Sequence, residues 1–245
     1  MLFERRFYTL KPGETGRFWE YQERWNAPQD IPRLLERNIG YFESLHDQGS
    51  RILMLYRYDD FDDWRSRLFG GVDEERMKYL TAGRAIMMSQ ENMFLTLSPE
   101  DELNPVWNGA SDWRPGHPRF DVADPETVVL REERFDLAPG ALPRFWDSAL
   151  AHARDDDATA RDGLIGYFPV LVGRQHRVFC YRWHADAADV QRQDQRLTGS
   201  EAFRTFQRAF RDDIVAREVR LFRTARVPWM RNLFTTLDLQ ARVRP

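Results

Sequence analysis

Apolar and polar positions along this chain follow two periods. In FERRFYTLKPG (residues 3–13) they alternate, so Glu4, Arg6 and Tyr8 share one face of an extended strand. Pro12 and Gly13 signal the turn that ends it. Phe18, Tyr21 and Trp25 then recur at helical spacing. IGYFESL and RILMLYRY, with a turn between them over Asp47–Ser50, predict a hairpin. A second helical stretch covers about Asp73–Met87, and ENMFLTL supplies a last strand. The predicted order is β-α-β-β-α-β, a ferredoxin-like unit.

The pattern is then written a second time. Pro12-Gly13 recurs as Pro139-Gly140 and Phe18-Trp19 as Phe145-Trp146, both 127 positions on. Gly40-Tyr41-Phe42 recurs as Gly166-Tyr167-Phe168 after 126, Tyr56-Arg57-Tyr58 as Tyr181-Arg182-Trp183 after 125, and Glu91 as Glu218 after 127. Five matches in order, at a nearly constant offset, mark a duplicated domain rather than a short-period solenoid. The second copy reads LREERFDLAPG, a helix with Phe145, Ala149 and Ala153 on one face, LIGYFPVLV, HRVFCYRW, a helical stretch over about Gly199–Arg211, and REVRLFRTA. The predicted organisation is one repeat at 1–100, a Pro- and Trp-containing linker at 101–126, a second repeat at 127–227 and a tail at 228–245.

A βαββαβ unit covers one sheet face with helices and leaves the other bare. The fold class expected is therefore α+β, two ferredoxin-like repeats packed sheet to sheet as an intrachain barrel with a space between the sheets. The first strands of the copies exchange charge: Glu4, Arg6 and Tyr8 become Arg131, Glu133 and Phe135. Across a pseudo-twofold, such strands could form ion pairs between the halves that fix docking, or could line a polar cavity. Docking is the first reading; because buried ion pairs stabilise weakly, finding these groups inside a barrel would favour the cavity.

Composition narrows the function. The chain has 245 residues, is 31% charged and carries a net charge of -3 with no basic tract, which argues against nucleic acid as partner. Lysine occurs only at Lys11 and Lys78, read first as the codon usage of a GC-rich bacterial genome. The charged N-terminus lacks the apolar core of a signal peptide, and no apolar run approaches the roughly 20 residues of a membrane helix. With one cysteine, Cys180, no intrachain disulfide can form, and a cytoplasmic location is expected. Eight tryptophans and 17 phenylalanines suit bulky cores or a ring-lined cavity.

ERRFYTLKPG, the Phe-Trp of the following helix, the Gly-Tyr of the second strand and the strand ending in YRY resemble the NIPSNAP family. Glu4, Arg6, Tyr8, Leu10, Lys11, Pro12 and Gly13 match its first-strand motif, and both repeats, about four fifths of the chain, share the likeness. A histidine common in the family's third strand is replaced by Met54 and, in the second copy, by Phe179. The resemblance implies the dimeric α/β-barrel superfamily, whose members use space between sheet and helices for aromatic or polyketide-like substrates. They include cofactor-free oxygenases, cyclases, isomerases and lyases, and some bind haem through a histidine.

The chain has no G-x-G-x-x-G, P-loop, G-x-S-x-G or H-E-x-x-H. His46, His117, His152, His176 and His184 form no metal-ligand spacing, so no metal site is expected. No cofactor is expected; haem, ligated by His152 or His184, is the alternative, against the commoner outcome of a solvent-facing histidine. Cys180 sits mid-strand and reads as a small core residue. Proton transfer and oxyanion stabilisation fall to Glu4, Arg6, Tyr8, Tyr41, Tyr56 and Glu133. Arg57, Arg131, Tyr58, Tyr167, Tyr181 and Arg182 are candidate substrate-binding groups, with core packing or salt bridging as the alternative use of each. Glu91 and Glu218 are further candidate bases.

The linker tryptophans, Trp107 and Trp113, could strap the body or cap a cavity mouth. RDDDATARD (154–162) reads as a solvated loop. In the tail, Trp229, Met230, Leu233, Phe234 and Leu237 fit one helical face for docking or contact with a second copy, so a homodimer is an open alternative. The leading expectation is a small-molecule enzyme of bacterial metabolism; a non-catalytic binding or adaptor protein is the rival.

Overall fold

The computed structural model describes residues 1–26, 35–46, 50–70, 73–107, 118–155 and 163–235. Residues 47–49 of the expected hairpin turn, 108–117 with Trp113 and His117, 156–162 of the charged loop, and 236–245 with Leu237 lie outside the described residues. The chain forms two compact units. The first comprises Met1–Met93, Ser111–Glu126 and Arg223–Pro245; the second comprises Phe94–Ala110 and Thr127–Phe222.

The first unit contains β1 (Leu2–Leu10), α1 (Thr15–Trp25), β2 (Asn38–Ser44), β3 (Arg51–Tyr58), α2 (Phe61–Phe69), α3 (Glu74–Ile86) and most of β4 (Met87–Leu95). β3 lies between β1 and β2, antiparallel to both, and pairs Glu4 with Tyr56, and Arg6 and Tyr41 with Met54. Side chains alternate, so this register puts Arg6, Tyr8, Tyr41, Met54 and Tyr56 on one sheet face.

The second unit repeats the plan with β5 (Val129–Leu137), α4 (Leu142–Asp155), β6 (Leu164–Val172), β7 (Arg177–His184), α5 (Ala187–Gly199), α6 (Glu201–Ala209) and β8 (Ile214–Thr224). Its strand order is β8–β5–β7–β6, and the end of β4 adds to β6 through Phe94 and Leu95. Phe135, Phe145, Trp146, Tyr167, Phe206 and Phe210 belong to one buried cluster under its helices.

The repeated dipeptides have physical causes. Gly13 and Gly140 have φ of +81° and +84°, a left-handed turn that glycine enters at little cost. In each Gly-Tyr-Phe the glycine sits beside a β-bulge and the phenylalanine ring folds over it. A Cβ at Gly40 would lie 2.6 Å from the Phe42 ring, and one at Gly166 3.1 Å from that of Phe168.

Three expectations change. α2 and α5 are additional helices, each started by an aspartate that accepts from a backbone N–H three residues on: Asp60 from Asp63 (2.8 Å) and Asp186 from Asp189 (2.7 Å). The described part of the tail holds one 3₁₀ turn, Pro228–Met230, rather than a helix. It is tied to β2 by Leu233 N–H donating to Ile39 O (3.1 Å) and by the Asn232 amide donating to Asn38 O (3.0 Å). Third, the copies align differently along their third strands. β5 pairs with β7 through Arg131 and Arg182, as β1 pairs with β3 through Glu4 and Tyr56. Arg182, not Tyr181, therefore occupies the Tyr56 position, and Cys180, not Phe179, that of Met54. A slip of one residue sends a side chain to the opposite sheet face.

Candidate functional site

A site in a space between two sheets was the expectation. Arg6, Tyr8, Tyr41 and Tyr56 instead line a cavity of about 620 Å³ within the first unit, on the sheet face that α1 and α3 cover. That volume suits a drug-sized molecule. α1 contributes Phe18, Tyr21 and Gln22; α3 contributes Arg76, Met77, Tyr79, Leu80, Gly83 and Arg84. Leu68 and Phe69 close the end of α2 over it, with Met54 on the sheet side.

The floor is a chain of polar contacts on apolar ground. The Tyr41 and Tyr56 hydroxyls lie 2.5 Å apart, both buried. The Arg6 guanidinium sits 4.9 Å above the Tyr56 ring, a cation–π arrangement. Tyr56 stacks in turn on Tyr58 at 6.1 Å. Glu4, fully buried, anchors this group from behind: its Oε2 is 2.8 Å from Arg6 Nη2 and accepts from Tyr58 OH at 3.1 Å, and its Oε1 accepts from Asn92 Nδ2 at 2.8 Å. Arg6 Nε, also buried, has no hydrogen-bond acceptor among the described residues. Across the cavity Tyr79 and Gln22 share a hydrogen bond of 3.0 Å.

Burial pushes the Tyr8, Tyr41 and Tyr56 hydroxyls above the usual phenol range, so they stay protonated donors at neutral pH. Burial also opposes the charge on Arg6, but Tyr56 and Glu4 beside it more than reverse that effect and keep it cationic. The lining includes no aspartate, glutamate or histidine among the described residues. Glu4, next to Arg6 along the same sheet face, is engaged by three partners and is not among the lining residues, so it positions that cation. The site thus offers donors and a fixed cation for an oxyanion, and no base of its own.

The other sequence candidates lie elsewhere. Arg57, one residue out of phase with Tyr56 and Tyr58, pairs with Asp59 at 2.6 Å. Tyr58 supports Glu4 and is not part of the lining. In the second unit, Glu133 pairs with Arg217, and Arg131 with Asp194 and more distantly with Glu133. Tyr181 donates to Glu132 Oε2 at 2.8 Å. Tyr167 and Arg182 are buried together beside Cys180, whose thiol burial pushes up to about 11, unsuited to a nucleophile. Glu91 is exposed, and Glu218 pairs with Arg134 (2.8 Å) and Arg220 (2.6 Å). His152 and His184 are buried rather than solvent-facing. His152 stacks on Phe206 (5.2 Å), and burial lowers His184 to about 4. Neither lines either cavity.

A second cavity of about 530 Å³, between Phe135, Phe206, Phe210 and arginines of α6 and β8, contains none of the second-unit candidates. The copies differ at their cores. At the 127-residue offset Arg6 becomes Glu133, Tyr8 Phe135, Tyr79 Phe206, and Gly83 becomes Phe210. Phe210 is buried against Phe145 at 5.3 Å, whereas nothing lies within 4 Å of a Cβ built at Gly83. Rings fill in the second unit what glycine leaves open in the first. The sequence reading missed Arg76, Tyr79, Gly83 and Arg84. Their signal was a stripe at three- and four-residue spacing, 76, 79–80, 83 and 87, with a glycine inside a helix.

Residues 3–99 match the model of the NIPSNAP family. No curated protein matches the chain. Among solved structures, the chain resembles a proposed monooxygenase from Lactobacillus acidophilus NCFM (11% identity, TM-score 0.57, 91% of this chain and 93% of that one). It also resembles a proposed monooxygenase from Fusobacterium nucleatum subsp. nucleatum ATCC 25586 (8% identity, TM-score 0.60, 92% of each chain). An anthrone oxidase-like protein aligns at 12% identity and TM-score 0.56 over 91% of this chain and 90% of that one. At such identities the likeness shows the fold alone.

Proposed function

We propose that the chain, whose residues 3–99 match the NIPSNAP family model, is a small-molecule enzyme whose first-unit cavity carries out oxygenase-type chemistry without a bound cofactor. The observation that carries this reading is the buried Arg6–Tyr56–Tyr41 group facing a cavity of about 620 Å³. It presents a permanent cation and neutral phenol donors to one region of low polarity, where such groups stabilise an oxyanion far better than water does. The described lining holds no carboxylate or imidazole, which suits a substrate that brings its own acidity, as an enol or phenol does. Its anion is then electron-rich enough to react with oxygen. The names of the fold neighbours, two proposed monooxygenases and an anthrone oxidase-like protein, point the same way.

The test is oxygen uptake by the purified chain with a tricyclic anthrone, against a protein-free control and Tyr56→Phe. Uptake above the control that falls about tenfold or more in Tyr56→Phe is expected, the scale of one lost oxyanion donor. A rate equal to the control, with the anthrone bound, would sink the catalytic reading. A second reading, a ligand carrier without chemistry, is favoured by the same absence of a base in the lining, and binding without uptake is its signature.

A further inference from the structure

We propose that the cavity selects an organic anion with a fused-ring body, recognised by Arg76 and Arg84 near its mouth and by Arg6 at its floor. This rests on the reading of the cavity as a binding site and adds the charge of what enters it. Four arginines line the cavity, Arg6, Arg67, Arg76 and Arg84, without a carboxylate among the described lining residues. Two are already balanced from outside it. Glu4 offsets Arg6 at 2.8 Å, and Asp63 (2.5 Å) and Glu36 (2.6 Å) offset Arg67. Arg76 differs: its partner is the uncharged Asn26 amide oxygen at 2.9 Å, and it lies flat over Tyr79 at 4.3 Å. Arg84, one helical repeat and more along α3, is exposed beside Gly83.

No described carboxylate of the lining offsets Arg76 and Arg84, and such charge draws anions toward a cleft with low-dielectric walls. Arg6 is neutralised as a charge but still lines the floor, and its guanidinium carries more N–H donors than Glu4 takes up, so an incoming oxyanion can accept from it. The walls between are flat and apolar or aromatic: Phe18, Tyr21, Met54, Tyr56 and Tyr79. Gly83 leaves room for a ring where the second copy has Phe210. A planar ring system carrying a carboxylate, phenolate or enolate oxygen matches all three features.

The test titrates the full chain with 2-naphthoate and 9-anthracenecarboxylate and with their neutral primary amides, by calorimetry at low salt. The carboxylates are expected to bind about tenfold or more tightly than the amides, the difference a charge-assisted hydrogen bond makes. Arg76→Gln/Arg84→Gln should remove most of that preference, and an undiminished ratio of acid to amide affinity would overturn the role given to these two arginines. Equal affinity of acids and amides would overturn the inference of charge and leave the binding site standing. Failure of all four ligands would overturn both. Gly83→Phe, which places the second copy's residue in the first, should keep the melting transition and lose the ligands. If Gly83→Phe binds the carboxylates as the wild type does, they sit outside this cavity and the inference fails.

Discussion

Replacing Glu4 by glutamine separates a held cation from a merely packed one. Glu4 is completely buried and takes three partners, Arg6 at 2.8 Å, Asn92 at 2.8 Å and Tyr58 at 3.1 Å. Glutamine keeps the shape but removes the charge, leaving the Arg6 guanidinium, 6% exposed, without its counter-ion. Removing one partner of a buried ion pair costs about 3–5 kcal/mol, because the survivor cannot regain its hydration. Against a stability of about 5–15 kcal/mol for a domain, that is a large fraction. Urea unfolding followed by tryptophan fluorescence would read it as a lower midpoint at unchanged slope. The double variant Glu4→Leu/Arg6→Met removes both charges and should recover stability to within about 1–2 kcal/mol of wild type, since apolar replacement of a whole buried pair is often neutral. It should still fail to bind the carboxylates. A Glu4→Gln cost below about 1 kcal/mol would refute the claim that Glu4 holds a desolvated cation at the cavity floor.

Other consequences follow from single sites. Glu43 is buried and, although burial alone would raise its pKa, hydrogen bonds from Arg226 (2.9 Å), Arg223 and Trp19 (2.7 Å) lower it. A lowered folded pKa adds stability that is complete above the ordinary carboxylate value and is lost as pH falls through the folded one. Melts from about pH 7 to 3 should therefore show an acid limb that flattens in Glu43→Gln; an unchanged limb would place the proton uptake elsewhere. Native Cys180, buried with its thiol near 11, should resist a thiol reagent at pH 8 and react fully in denaturant; rapid native reaction would contradict its burial. Gly40→Ala puts a Cβ 2.6 Å from the Phe42 ring and should cost about 2 kcal/mol in urea unfolding, while a neutral outcome would mean the ring swings clear.

Much of the fold was legible because its signals are local. Alternation gave the strands, and Pro-Gly and Gly-Tyr-Phe marked a left-handed turn and a ring-covered bulge in both copies. α2 and α5 were missed because their helix signal is short and polar; their aspartate caps were the better clue. The register of β7 was missed for a different reason. Tyr56-Arg57-Tyr58 and Tyr181-Arg182-Trp183 look alike as strings, but a bulge in the neighbouring strand and the pairing of Arg131 with Arg182 decide which face each side chain takes. That single residue separates Tyr56, in the cavity, from Tyr181, on Glu132. The first-strand stripe Arg6 and Tyr8 reached the site, since strand alternation fixes it. The opposite wall, Arg76, Tyr79, Gly83 and Arg84, shows as a stripe at helical spacing, but that stripe does not say which face of the sheet α3 lies on.

The most direct measurement is a crystal structure of the chain soaked with 2-naphthoate. The account predicts the ring between Tyr56 and Gly83 with its carboxylate within hydrogen-bond distance of Arg6. An empty first-unit cavity at saturating ligand, or the naphthoate seated against other residues, would contradict it.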